Sequence, residues 1–267
     1  MLSSVRYTRG MKRIALMALA LAGCGPGGAG PADPELAAFI PGDAVVLAGV
    51  RLEEIRTTPV GKELAATGWL EPPGVEARDL LASWDGKRWL VAARGKVLGP
   101  SGPELAQAGE FVLAGPAAAV KAAMERKATG RRPPRALLER ARTAPHGSQI
   151  WAVSYGAPGL PPGEGGRLNA FGRLLNAMED ITFSADLRRG LDAAAAGACR
   201  DERNAQVVEE TVRGMVSLGR MALGRSDPDL ARALDAVQVE REGRAVRMRV
   251  SLPEDAARKL APSLIPR

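Results

Sequence analysis

Residues 237 to 253, VQVEREGRAVRMRVSLP, alternate apolar and polar side chains on both sides of a glycine. Side chains with a period of two, broken by a turn residue, form an antiparallel hairpin with one apolar and one wet face. Closure at Glu242 and Gly243 pairs Val239 with Val246 and Val237 with Met248, and leaves Gln238, Glu240, Arg247 and Arg249 on the wet side. Two further stretches read the same way. In LLASWDGKRWLVAARG, Asp85-Gly86 is a favoured two-residue turn, placing Ala82 opposite Trp89 and Leu80 opposite Val91. A three-residue loop at Arg188, Arg189 and Gly190 sets Leu187 against Leu191, Ala185 against Ala193 and Phe183 against Ala195, whereas a slip of one residue would oppose Leu187 to Asp192. A chain with three such hairpins has to build an antiparallel sheet.

Single strands are expected from Ala44 to Arg51, from about Glu110 to Gly115, and over SQIWAVSY. Helices are expected after the first strand, from Pro116 to about Ala128, after Pro133-Pro134, from about Leu168 to Met178, from Asp201 to about Gly224, and after Pro228. The helix after Asp201 has the strongest period, with Ala205, Val208, Val212, Met215 and Ala222 on one face and Glu209 and Arg213 at pairing distance elsewhere. Hairpins interspersed with helices specify an α+β class, a largely antiparallel sheet with helices packed on one face. Strands near 44 and 149 each precede a helix and a hairpin, which divides the chain into two related halves, 35–145 and 146–267. The run of strand, GPAAAVKAAM helix, proline-rich gap and new strand resembles uncharacterised secreted bacterial domains of similar layout, a resemblance that implies no activity.

The opening of the chain obeys other rules. Lys12 and Arg13 precede an unbroken apolar run from Ile14 to Ala22, and Cys24 is followed by a glycine-proline tract. That is the layout of a secretory signal. At 1.5 Å per residue the run makes a helix of about 14 Å, too short for a hydrocarbon core of about 30 Å. Leu21, Ala22, Gly23 and Cys24 resemble the lipobox of bacterial lipoproteins. The resemblance implies that residues 1–23 are removed, that Cys24 becomes the acylated first residue, and that 24–34 form a tether. Two or three acyl chains would hold such a protein durably to a membrane. Gly25, where some lipoproteins carry an inner-membrane retention aspartate, favours the outer membrane. Met1 or Met11 serves equally as the start. Gly23, Gly25 and Gly28 also satisfy G-x-G-x-x-G, but this motif needs a strand before it and a helix after it.

Removing the leader takes Arg6, Arg9, Lys12 and Arg13 with it and no acid, which lowers the formal charge from +7 to +3. So small and dispersed an excess gives no nucleic-acid footprint. The densest basic cluster, Arg131, Arg132, Arg135, Arg140 and Arg142, contains Glu139 and reads as a solvated face. With Cys24 acylated, Cys199 is left without a disulfide partner and reads as a small buried apolar residue.

Catalytic chemistry finds little purchase. His146 is the single histidine, it lies in the turn TAPHGS, and no G-x-S-x-G elbow exists for it to serve. One histidine and one thiol cannot assemble a zinc site, so neither a metal nor a cofactor is expected. The acidic pairs Asp201-Glu202 and Asp227-Asp229 stand at helix starts, where they cap free N–H groups. Trp69, Trp84, Trp89 and Trp151 remain as a candidate ligand or partner surface, against the alternative of core packing. The expected function is therefore a membrane-anchored, periplasm-facing lipoprotein that serves as a non-catalytic interaction or envelope-support module with a protein partner. A second reading is a carrier of an apolar ligand between sheet and helices. A third, an enzyme using carboxylates, would require acids converging in a cleft.

Overall fold

The computed structural model describes residues 32–68, 70, 74–130, 134–145, 147–156, 177–224 and 227–264. The leader, the Leu21–Cys24 motif, Trp69, His146 and most of the helix expected from Leu168 lie outside them; Met178, expected at the end of that helix, opens a strand.

The α+β class is present as one ten-stranded sheet in which every pairing is antiparallel. In chain order the elements are α1 (Pro34–Ala37), β1 (Val46–Arg51), α2 (Leu52–Thr57), α3 (Pro59–Ala66), β2 (Val75–Trp84), β3 (Trp89–Val97), β4 (Leu105–Ala108), β5 (Phe111–Ala114), α4 (Ala117–Thr129) and α5 (Arg135–Ala141). They continue with β6 (Ile150–Tyr155), β7 (Met178–Asp186), β8 (Gly190–Cys199), α6 (Glu202–Leu223), α7 (Pro228–Asp235), β9 (Gln238–Glu242), β10 (Ala245–Pro253) and α8 (Glu254–Leu260), followed by a 3₁₀ turn over Ala261–Leu264.

The sheet order, β4-β5-β3-β2-β1-β6-β7-β8-β10-β9, reads identically outward from the β1–β6 seam. Each half gives one central strand, a hairpin beside it, and a second hairpin whose later strand lies inward. The seam centres on Ala48 opposite Ala152, two small residues almost wholly buried.

The hairpin registers test the turn chemistry. The middle hairpin pairs Ala185 with Ala193 and Phe183 with Ala195, as its apolar face demands. The other two close two residues away from expectation. Trp84, not Ala82, faces Trp89, because residues 85–88 form the loop and the Asp85 carboxylate accepts from the backbone N–H groups of Lys87 (2.8 Å) and Arg88 (2.6 Å). Val239 faces Met248, not Val246, because Gly243, at φ 55°, opens the turn and not its second position. A shift of two leaves each residue on its expected face.

The helices depart from expectation in one respect. On one face, α2, α3 and α8 bury Leu52, Ile55, Val60, Leu64, Ala257 and Leu260 against Val50, Leu80, Ala82 and Phe183. The same face continues past Ile181, where α6 lays Ala205 and Val208 over Cys199 and Val246. In the first half, however, α1, α4 and α5 cover the opposite face as well, over Leu47, Leu81, Ala92, Leu113 and Trp151. The strands there are apolar on both sides, and a strand buried on both faces requires a layer on each. In the second half the opposite face carries Gln238, Glu240, Arg247 and Arg249, as expected.

Local signals explain the helix ends. Asp201 caps α6 by accepting from Asn204 N–H at 2.7 Å, and Asp227 caps α7 through Leu230 N–H at 3.0 Å. The Glu209–Arg213 pair forms at 2.9 Å. Cys199 is fully buried, and that burial pushes its thiol above the ordinary range. Among the described residues no helix is long and apolar enough to cross a membrane.

Candidate functional site

The three described tryptophans do not form one groove. Trp84 and Trp89 are a direct cross-strand pair at the turn end of the β2–β3 hairpin, both half-buried, with Trp89 packed on the core that α2 and α3 share. Trp151, on β6 of the second half, lies on the other side of the sheet and is 3% exposed, packed into the core beneath α1, α4 and α5. Its indole occupies space that Gly49 leaves: a Cβ built on Gly49 would overlap the indole at Nε1 and Cε2.

That close approach forms one wall of a cleft of about 280 Å³, open to the surface and lined by Ala32, Asp33, Leu36, Gly49, Arg51, Glu54, Asp79 and Trp151, among others. Three carboxylates converge here from distant stretches of chain. Asp33 arrives at the N-cap of α1, where it accepts from Glu35 N–H at 2.8 Å. Glu54 sits in the first turn of α2 and binds Arg51 at 3.0 Å. Asp79 is brought in by a bulge in β2 between Ala77 and Asp79, beside which the Arg56 guanidinium donates to Ala77 O at 2.8 Å.

Their electrostatics differ. Arg94 donates to Asp33 at 2.8 Å, to Glu35 at 2.6 Å and to Glu110 at 2.6 Å, and stacks over Phe111 at 5.1 Å. Burial opposes ionisation of Asp33, but this clamp and the helix-cap hydrogen bonds hold its carboxyl below the ordinary range. Glu54 is neutralised by Arg51. The Asp79 carboxylate makes neither a hydrogen bond nor an ion pair among the described residues, and burial pushes it up; Arg51 opposes the rise, and Asp33, Glu53 and Glu54 reinforce it. The Trp151 indole N–H likewise has no acceptor among the described residues.

A second hollow of about 590 Å³ lies between α4 and the β4 edge, lined by Pro103, Ala106, Val120 and Met124. On α6, Val207, Met215, Leu218 and Met221 are exposed. Of the basic cluster, Arg135 pairs with Glu139 and Arg140 with Asp180, both at 2.8 Å. Among the described residues no group of histidine, cysteine or acidic side chains could hold a metal ion.

None of the cleft acids was a candidate from the sequence. One signal was present: Gly49 interrupts an apolar strand, as a residue does where another group approaches the backbone closely.

No protein-family model matches the chain, and no curated protein matches it in sequence. A solved structure described as crystal form I of TP0453 aligns with a TM-score of 0.42 at 11% identity, over 88% of this chain and 98% of that one.

Proposed function

We propose that this chain is a lipid-anchored, periplasm-facing envelope protein, held by an acylated Cys24, whose folded body works by binding and not by catalysis. The observation that carries the anchor is the unbroken match of Leu21, Ala22, Gly23 and Cys24 to a lipobox, preceded by a basic and then an apolar run. The fold begins soon afterwards. Ala32 is already buried, Asp33 is clamped by Arg94 and Pro34 opens α1, so residues 32–34, expected in the 24–34 tether, belong to the folded body.

Binding is favoured over hydrolysis by the charge state of the cleft. Paired-carboxylate hydrolysis needs one carboxyl to give and take the proton and a second free to attack or to activate water. Here Asp33 and Glu54 are each engaged by an arginine, and Asp79 alone is unengaged among the described residues. An apolar carrier would need an enclosed apolar chamber, whereas both hollows described above open to the surface.

The test is intact-mass analysis of the mature protein from separated membrane fractions, beside a Cys24→Ser variant. A diacylated or triacylated chain beginning at Cys24, absent in the variant, is the expected result. A soluble chain retaining residues 11–23 would overturn the anchor and the localisation with it.

A further inference from the structure

The cleft beside Trp151 contains two polar groups whose needs are complementary and unmet. The indole N–H is a donor on a side chain 97% buried, and its edge lies against Gly49 in the cleft wall. The Asp79 carboxylate is an acceptor with no partner among the described residues. Neither group is sealed off from water, so an occupant of the cleft can reach both. The charge of the lining sets its sign: Asp33, Glu54 and Asp79 against the single cation Arg51, with Arg94 beyond it on Asp33. The size sets a limit. About 280 Å³ stands at the small end of ligand sites, roughly 300–1,000 Å³, and admits a molecule no larger than a monosaccharide.

We propose that this cleft binds a small organic ammonium ion carrying a neighbouring hydroxyl, the chemistry shared by amino sugars and amino alcohols. The ammonium group donates to Asp79 and lies in the field of Glu54; the hydroxyl oxygen accepts from Trp151 Nε1–H. A neutral sugar satisfies the indole and leaves the carboxylate unpaired, and a simple amine does the reverse. Requiring both makes the cleft selective. Burial raises the Asp79 carboxyl, a penalty that a bound cation relieves. The proposal rests on the binding reading given above and specifies its ligand class.

Glucosamine, ethanolamine and N-acetylglucosamine would be titrated into the full acylated chain in lipid nanodiscs, with the tryptophan indoles labelled with ¹⁵N and the Trp151 resonance assigned from Trp151→Phe. Glucosamine or ethanolamine is expected to move the Trp151 indole resonance with saturation in the millimolar range, with N-acetylglucosamine at least tenfold weaker. A shift with glucosamine alone assigns an amino-sugar source, and one with ethanolamine alone a headgroup-like amino alcohol. Asp79→Asn removes a charge-assisted contact and should weaken either ligand about tenfold or more. If Trp151→Phe fails to fold, the one indole resonance displaced by Gly49→Ala provides the assignment. A Trp151 resonance that stays still up to about 50 mM of both amines, or that moves equally with N-acetylglucosamine, overturns the proposal. Neither result bears on the acyl anchor, which the mass measurement tests separately.

Discussion

At Gly49 the backbone of β1 passes directly beneath the indole edge of Trp151, and any side chain there competes for the same space. Gly49→Ala must displace a large buried ring, so it is expected to lower unfolding free energy by about 1–3 kcal/mol in urea titration, with partial recovery in a Gly49→Ala, Trp151→Phe double variant. Recovery fails if the strain lies elsewhere. Asp79 carries the opposite kind of strain. Its folded carboxyl titrates above the ordinary 3.8, so folding favours the protonated form. The stability this gives is present in full below 3.8 and is lost as pH rises through the folded value. Asp79→Asn should therefore be more stable than the parent at pH 7 and lose that advantage toward pH 3. Thermal melts across this range decide it, and an Asn variant less stable at neutral pH would contradict the assignment.

At the scale of the element, the hairpins separate what alternation determines from what turns determine. Parity put Phe183, Ala185 and Val239 on the correct face, because a period of two leaves no choice once one face is apolar. Closure was decided elsewhere: by the Asp85 carboxylate, which holds a four-residue loop, and by Gly243, which needs the first turn position. Such hydrogen bonds compete within a single turn and leave no trace in the hydrophobic pattern. Helix α6 supplies a cleaner test of local signals. Removing its cap with Asp201→Ala should cost about 1 kcal/mol in denaturant titration. Leu218, 62% exposed on the same helix, should tolerate Leu218→Lys within about 0.5 kcal/mol. A large loss at Leu218 would mean that the helix has a neighbour in the native assembly.

Across the whole molecule, the two halves share one sheet and are interlocked. Val50 pairs with Ile150 across the seam. Beside it the Arg51 N–H donates to Gln149 O at 2.8 Å across the same seam. The last helix, α8, returns to the first half, where Arg258 meets Glu63 at 2.8 Å and Leu260 joins Val60 and Leu64 in one core. Unfolding one half would expose the seam and strip α8 from its seat. Tryptophan fluorescence, weighted to the first half, and far-UV circular dichroism should therefore report coincident transitions; two separated midpoints would show the halves to be independent.

From the residue pattern alone the α+β class, the sheet faces, the relation between the halves and the caps at Asp201 and Asp227 could be read, because each depends on residues close in the chain. The second helical layer was legible in principle, since the apolar runs Val46–Val50, Leu80–Ala82 and Leu90–Ala93 leave no wet face where they pair. The cleft was not. Asp33, Gly49, Glu54, Asp79 and Trp151 span more than a hundred residues, and what unites them is a bulge, a glycine under a ring and an arginine clamp. Periodicity reports which way a side chain faces; only the tertiary structure decides which side chains meet, because that depends on the sheet order and on the packing of layers that no local pattern encodes.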